Sequence, residues 1–112
     1  AALDAPPTHV FVQASVGGLA AAVAGYLAAT MGDARPHVTV VEPARAACVQ
    51  ASARAGAPVA IAPSAPTVMA MLECHEPSPV AWRVLARAAD AFLAVDEEDA
   101  VSAMRRLARP LG

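Results

Sequence analysis

An uncharged apolar run that breaks at a glycine turn and resumes as an alanine-rich stretch leaves this chain few folds to choose from. Val10-Phe11-Val12 is a short run of β-branched and aromatic residues, the pattern of a fully buried strand. Ser15-Val16-Gly17-Gly18 interrupts it, and glycine allows a sharp turn and a close backbone approach. Leu19 to Thr30 then carries no charge and no proline, which predicts a helix covered on most sides. A turn of this kind opens the helix with unpaired N–H groups at its positive end, where a phosphate or carboxylate is well held. The same turn also serves in α/β folds as a plain connector, and these residues alone leave both readings open.

The rest of the chain repeats the alternation. Val38–Val41 reads as a second buried strand, ended by Glu42-Pro43, and Ala44–Ala55 as a helix with Cys48, Val49 and Ser52 on one side and Gly56 as its stop. Val59–Ile61 predicts a third strand. Thr67–Cys74 predicts a short helix with Val68, Met69, Met71 and Leu72 facing inward. Ser78-Pro79 supplies an N-cap and a first-turn proline for a helix carrying Trp82, Leu85, Ala86 and Ala89. Phe92–Val95 is a fourth strand. Asp96 caps a last helix with acids in its first turn and Arg105, Arg106 and Arg109 in its last turns, closed by Pro110; helix stability explains that pattern. Ala1–Pro7 reads as a linker. The expected architecture is α/β: three layers, a mainly parallel four-stranded sheet with helices on both faces, in one domain spanning residues 1–112.

Composition excludes several functions. A hydrophobic fraction of 57% and mean hydropathy of +0.47 argue for a packed core over disorder. With a net charge of −2, no basic block and few aromatic residues, nucleic-acid binding is not expected. No apolar run reaches membrane-spanning length and no basic leader is evident, so no membrane partner and a cytoplasmic location are expected. All eight basic residues are arginine. Chemistry that needs a lysine amine therefore lies beyond this chain alone.

Three segments in collinear order carry a family resemblance: THVFVQASVGGLAAAVAGYL, VTVVEPARAACVQASARAG and TVMAMLECHEPSPVAW. With the EP-x-x-A-x-C and C-x-EP-x-P-x-x-W spacings, the chain from Thr8 to Pro110 resembles the diaminopropionate ammonia-lyases, pyridoxal-phosphate enzymes of the fold type II, tryptophan-synthase-β-like group. The resemblance implies an interior fragment of a larger enzyme. It places pyridoxal 5'-phosphate at the first turn, with Ser15, Val16, Gly17, Gly18 and Leu19 binding its phosphate. It implies no catalytic residue within these 112, because the imine-forming lysine and the proton-moving carboxylates lie elsewhere in such enzymes. The reaction implied is elimination of ammonia from 2,3-diaminopropionate to give pyruvate, by an enzyme that is a homo-oligomer. The alternative is a non-catalytic α/β module for assembly or small-anion binding.

Three positions depart from the family pattern. Ser15 stands where the turn begins with glycine, a source of strain if the backbone there needs a positive φ. Met71 and His75 replace glycines and add bulk. Cys48 and Cys74 fall at cysteine positions of the family, and whether they are bridged stays open. A metal or a Cys–His nucleophile built on Cys74 and His75 lacks the spacing of a recognised site. In related dehydratases and racemases a glutamate like Glu42 helps hold a cation with a carboxylate six residues on. Cys48 occupies that later position, so no metal is expected.

Overall fold

The computed structural model describes residues 5–110, so only part of the linker expected over Ala1–Pro7 lies among them. Seven regular elements follow in order: β1 (His9–Gln13), α1 (Gly18–Met31), β2 (His37–Pro43), α2 (Cys48–Ala55), α3 (Pro79–Ala88), β3 (Ala91–Val95) and α4 (Glu97–Leu107). The sheet is wholly parallel in the order β1-β2-β3, with Val12 beside Val40 and Val40 beside Phe92.

One face of that sheet carries the core. Val12, Val38 and Val40 pack with Ala20, Ala21 and Ala24 of α1, Cys48 and Val49 of α2, and Ala81, Trp82 and Leu85 of α3 in a single buried cluster. Small residues let α1 approach α3 closely: a Cβ on Gly25 would stand 3.2 Å from Val84 Cγ1. The opposite face alternates out of phase, as strand geometry requires, and presents Phe11 at 66% and Leu93 at 45% exposure. A complete second layer of helices is not assembled over it among the described residues. The alanine-rich α1 is likewise buried along one stripe only, with Leu19 and Tyr26 exposed.

The strand expected at Val59–Ile61 is not formed, and the described sheet has three strands. Its donors are engaged elsewhere. The Val59 N–H donates to Ser52 Oγ at 3.0 Å, and the Ile61 N–H to the His75 carbonyl at 2.8 Å. Flanking prolines, which have no N–H, shorten any ladder the segment can offer. The expected Thr67–Cys74 helix is also corrected, to one 3₁₀ turn at Ala70–Leu72. Val68 and Met71 point outward there, Met71 being 91% exposed. The helix expected from Ala44 divides into a 3₁₀ turn, Ala44–Ala46, and α2.

Caps follow the local chemistry. Ser78 Oγ accepts the Ala81 N–H at 3.3 Å, with Pro79 in the first turn of α3. Asp96 and Asp99 form a reciprocal capping box on α4, which has no buried residue. At the amino edge of the sheet Arg35 grips both Asp90 oxygens at 2.7 and 2.9 Å, and Asp90 also accepts the Val38 N–H at 2.8 Å. Arg35 beside it holds the Asp90 carboxyl down at about 2.

Candidate functional site

Parallel α/β sheets bind ligands where loops leave the carboxyl ends of the strands. Three such loops meet here: the Ser15–Gly17 turn after β1, the Ala44–Ala47 stretch after β2, and Asp96 after β3. The turn is built by Gly17, whose φ of +104° is open to glycine and strained for other residues. A Cβ at Gly17 would also stand 3.2 Å from both Ala81 Cβ and Leu85 Cδ1. Gly17 therefore faces α3, and its small size lets the turn seat against that helix. Gly18 is the opposite case, exposed and with no atom within 4 Å of where its Cβ would be. Ser15 is not strained, since among the described residues only glycines have positive φ.

The turn displays its N–H groups because its carbonyls are tied down behind it. The Cys48 thiol donates to the Ser15 carbonyl at 3.6 Å, and the Ser78 N–H to the Val16 carbonyl at 2.9 Å. In a trans peptide the next N–H points opposite to the carbonyl, so the Val16 and Gly17 N–H groups turn away from those anchors. Gly17 caps α1 without any side chain, which leaves the first-turn donors of Gly18, Leu19 and Ala20 with no intrahelical acceptor. A set of unpaired donors at a helix start, with open space over Gly18, is chemically able to hold an anion.

Glu42 ends the same strand edge in a different role. It is fully buried, and its two oxygens accept the Val49 and Gln50 N–H groups, each at 2.8 Å. It thus caps α2, whose Ala47 N-cap has no side chain to offer. Burial pushes its carboxyl up to about 7, while the two N–H bonds pull the other way. Burial, then the nearby Glu42 and Cys74, push the Cys48 thiol up to about 12. Cys48 and Cys74 are free thiols, the Cys74 Sγ donating to the Glu76 carbonyl at 3.3 Å.

A polar clasp that sequence reading missed holds the loop between α2 and α3. Glu97 accepts the Thr67 hydroxyl at 2.6 Å and the Val68 N–H at 2.5 Å. Arg45 lies 3.6 Å from Glu97 and donates to the Pro66 carbonyl at 2.6 Å. The Thr67 bond, then the Val68 N–H, lower the Glu97 carboxyl below its usual range. Thirty residues separate Thr67 from Glu97, and no local pattern announces such a pair.

The sequence model of the family described as "Pyridoxal-phosphate dependent enzyme" matches residues 1–112. The chain belongs to that family. Diaminopropionate ammonia-lyase of Escherichia coli K12 is 38% identical over 106 residues, covering 95% of this chain and 27% of that protein. The crystal structure of the holo Escherichia coli enzyme superposes with a TM-score of 0.84 at 37% identity, over 96% of this chain and 26% of that one. The same enzyme in complex with D-serine gives 0.80 at 35%, with the same coverage. This pyridoxal-phosphate family chain therefore spans about a quarter of the length of the relatives it matches. No helix among the described residues is long and apolar enough to cross a membrane.

Proposed function

We propose that Ser15, Val16, Gly17, Gly18 and Leu19 hold the phosphate of pyridoxal 5'-phosphate, and that the whole protein eliminates ammonia from 2,3-diaminopropionate to give pyruvate. The observation that carries this reading is the uncapped start of α1, with the turn's carbonyls anchored behind it and open space over Gly18. When bound, the cofactor supplies an electron sink for charge developing at the substrate α-carbon. The chain's own part is positional. Backbone N–H groups and the α1 dipole fix the phosphate end, Gly17 sets the turn, and Cys48 and Ser78 keep it from rotating. The imine-forming amine must come from another segment of the protein, because these 112 residues include no lysine. A cytoplasmic, homo-oligomeric enzyme acting on a small amino acid completes the reading.

Gly18→Asp tests the site without harming the helix. An aspartate in the first turn suits the α1 dipole, yet its charge competes with an anion for the same donors. Phosphate titration followed by phosphorus NMR should show binding to the native chain and none to Gly18→Asp, with α1 intact by circular dichroism. Equal phosphate binding by both would make the turn a plain connector. Absence of pyruvate from 2,3-diaminopropionate with the full-length, cofactor-loaded protein would overturn the assigned reaction separately.

A further inference from the structure

Two imidazoles stand side by side at the amino edge of the sheet, at the far end of β1 from the glycine turn, and β1 alone spans about 13 Å at ordinary strand rise. His9 opens β1 and His37 opens β2, and the parallel register places them side by side. Their ring centroids are 5.4 Å apart, with planes tilted by 41°. Both residues are exposed. A threonine hydroxyl stands beside each Nδ1, Thr8 Oγ1 at 3.0 Å from His9 and Thr39 Oγ1 at 3.5 Å from His37. When Nδ1–H donates to such an oxygen, Nε2 carries the free lone pair, which is how a metal-binding histidine is usually held.

We infer that His9 and His37 form a two-imidazole site for a borderline divalent cation of the Ni²⁺ or Zn²⁺ type, with water completing its coordination. An imidazole nitrogen bound at about 2.1 Å puts its ring centroid about 3.2 Å from the ion. Two such rings at octahedral or tetrahedral angles are then about 4.5–5.2 Å apart. The observed 5.4 Å lies just above that range. Asp90 lines the same surface recess as His37, but both its oxygens are held by Arg35 and one also by the Val38 N–H. It balances the Arg35 charge and is not a third ligand. Among the described residues no group of three or more ligating side chains is gathered, so the site rests on the two imidazoles and its affinity is modest.

Calorimetric titration of Ni²⁺ into the full chain at pH 7.5 tests this, repeated on His9→Gln, His37→Gln, His75→Gln and Cys74→Ser. One ion should bind per chain. Affinity should fall by ~tenfold or more in His9→Gln and in His37→Gln, and stay unchanged in the other two. Ni²⁺ should also raise the melting temperature of the native chain and not that of His9→Gln, a readout that exposes any misfolded variant. No binding to the native chain, native affinity in either His9→Gln or His37→Gln, or a tenfold loss in His75→Gln or Cys74→Ser would overturn the site. None of these outcomes bears on phosphate binding at the distant turn.

Discussion

Replacing Glu42 with glutamine separates the cost of burying a charge from the benefit of capping α2. The buried carboxyl titrates at about 7 in the folded chain against 4.5 for an ordinary glutamate. Between those values the native state holds a proton that the unfolded chain releases, so stability falls as pH rises through this window. At about 1.4 kcal/mol per pH unit the loss is about 3 kcal/mol as an order of magnitude, complete above pH 7. Glutamine does not titrate and should show no such slope. Its amide accepts only one of the Val49 and Gln50 N–H groups and turns its own donor toward the other, at a cost of about 1–3 kcal/mol at every pH. The Glu42→Gln protein should therefore be the less stable of the two at pH 5, with the gap closing or reversing by pH 8. Urea unfolding of both proteins at those pH values measures the difference. The chosen window lies above the depressed Asp90 and Glu97 carboxyls and below the raised Cys48 thiol. A native chain whose change from pH 5 to pH 8 matches that of Glu42→Gln would refute the reasoning.

Thr67→Val should cost about 1–2 kcal/mol, because the hydroxyl both donates to Glu97 and accepts the Met69 N–H at 3.1 Å. Faster amide exchange over residues 66–73, with α1 and α3 unchanged, would locate the effect in the clasp; unchanged exchange there would deny the clasp its role. Asp90 titrates at about 2, below its ordinary 3.8, so its contribution is present in full above pH 4 and is lost as pH falls through about 2. Thermal melts of native and Asp90→Asn protein should accordingly converge toward pH 2, and parallel melts across that range would count against it. Phe11 and Leu93 leave apolar area open on one sheet face. Sedimentation should show the chain self-associating and Phe11→Ser with Leu93→Ser relieving it, whereas a monomeric native chain at high concentration would mean that face is tolerated in water.

Local and strongly patterned features were legible in the residues; features made by distant chain segments were not. Val12, Val38 and Val40 sit in uncharged apolar runs that already read as buried strands, and the Ser78-Pro79 and Asp96 cap signals act within one helical turn. Val59–Ile61 is also a short uncharged apolar run and fails for a reason outside itself, since its donors find Ser52 and His75 first. The turn shows both sides of the boundary. Its glycines announce a tight bend, but which glycine serves which purpose needed the packing of α3: Gly17 is small for Ala81 and Leu85, and Gly18 is open.

Glu42 carries the same lesson into energetics. In the sequence Glu42 reads as the end of a buried strand, and Cys48 six residues on argues against a cation there. The Glu42 carboxylate closes the start of α2, which brings the Cys48 thiol under the Ser15 carbonyl. The glycine turn thus rests on a helix whose first donors are held by a carboxylate that titrates near neutrality. Because that connection runs through backbone N–H groups, a substitution at Glu42 should reach the turn more strongly than truncation of the exposed Leu19 side chain, which leaves the Leu19 N–H in place. Phosphate affinity measured for Glu42→Gln and Leu19→Ala side by side would rank the two, and a larger loss in Leu19→Ala would show that the turn stands without α2.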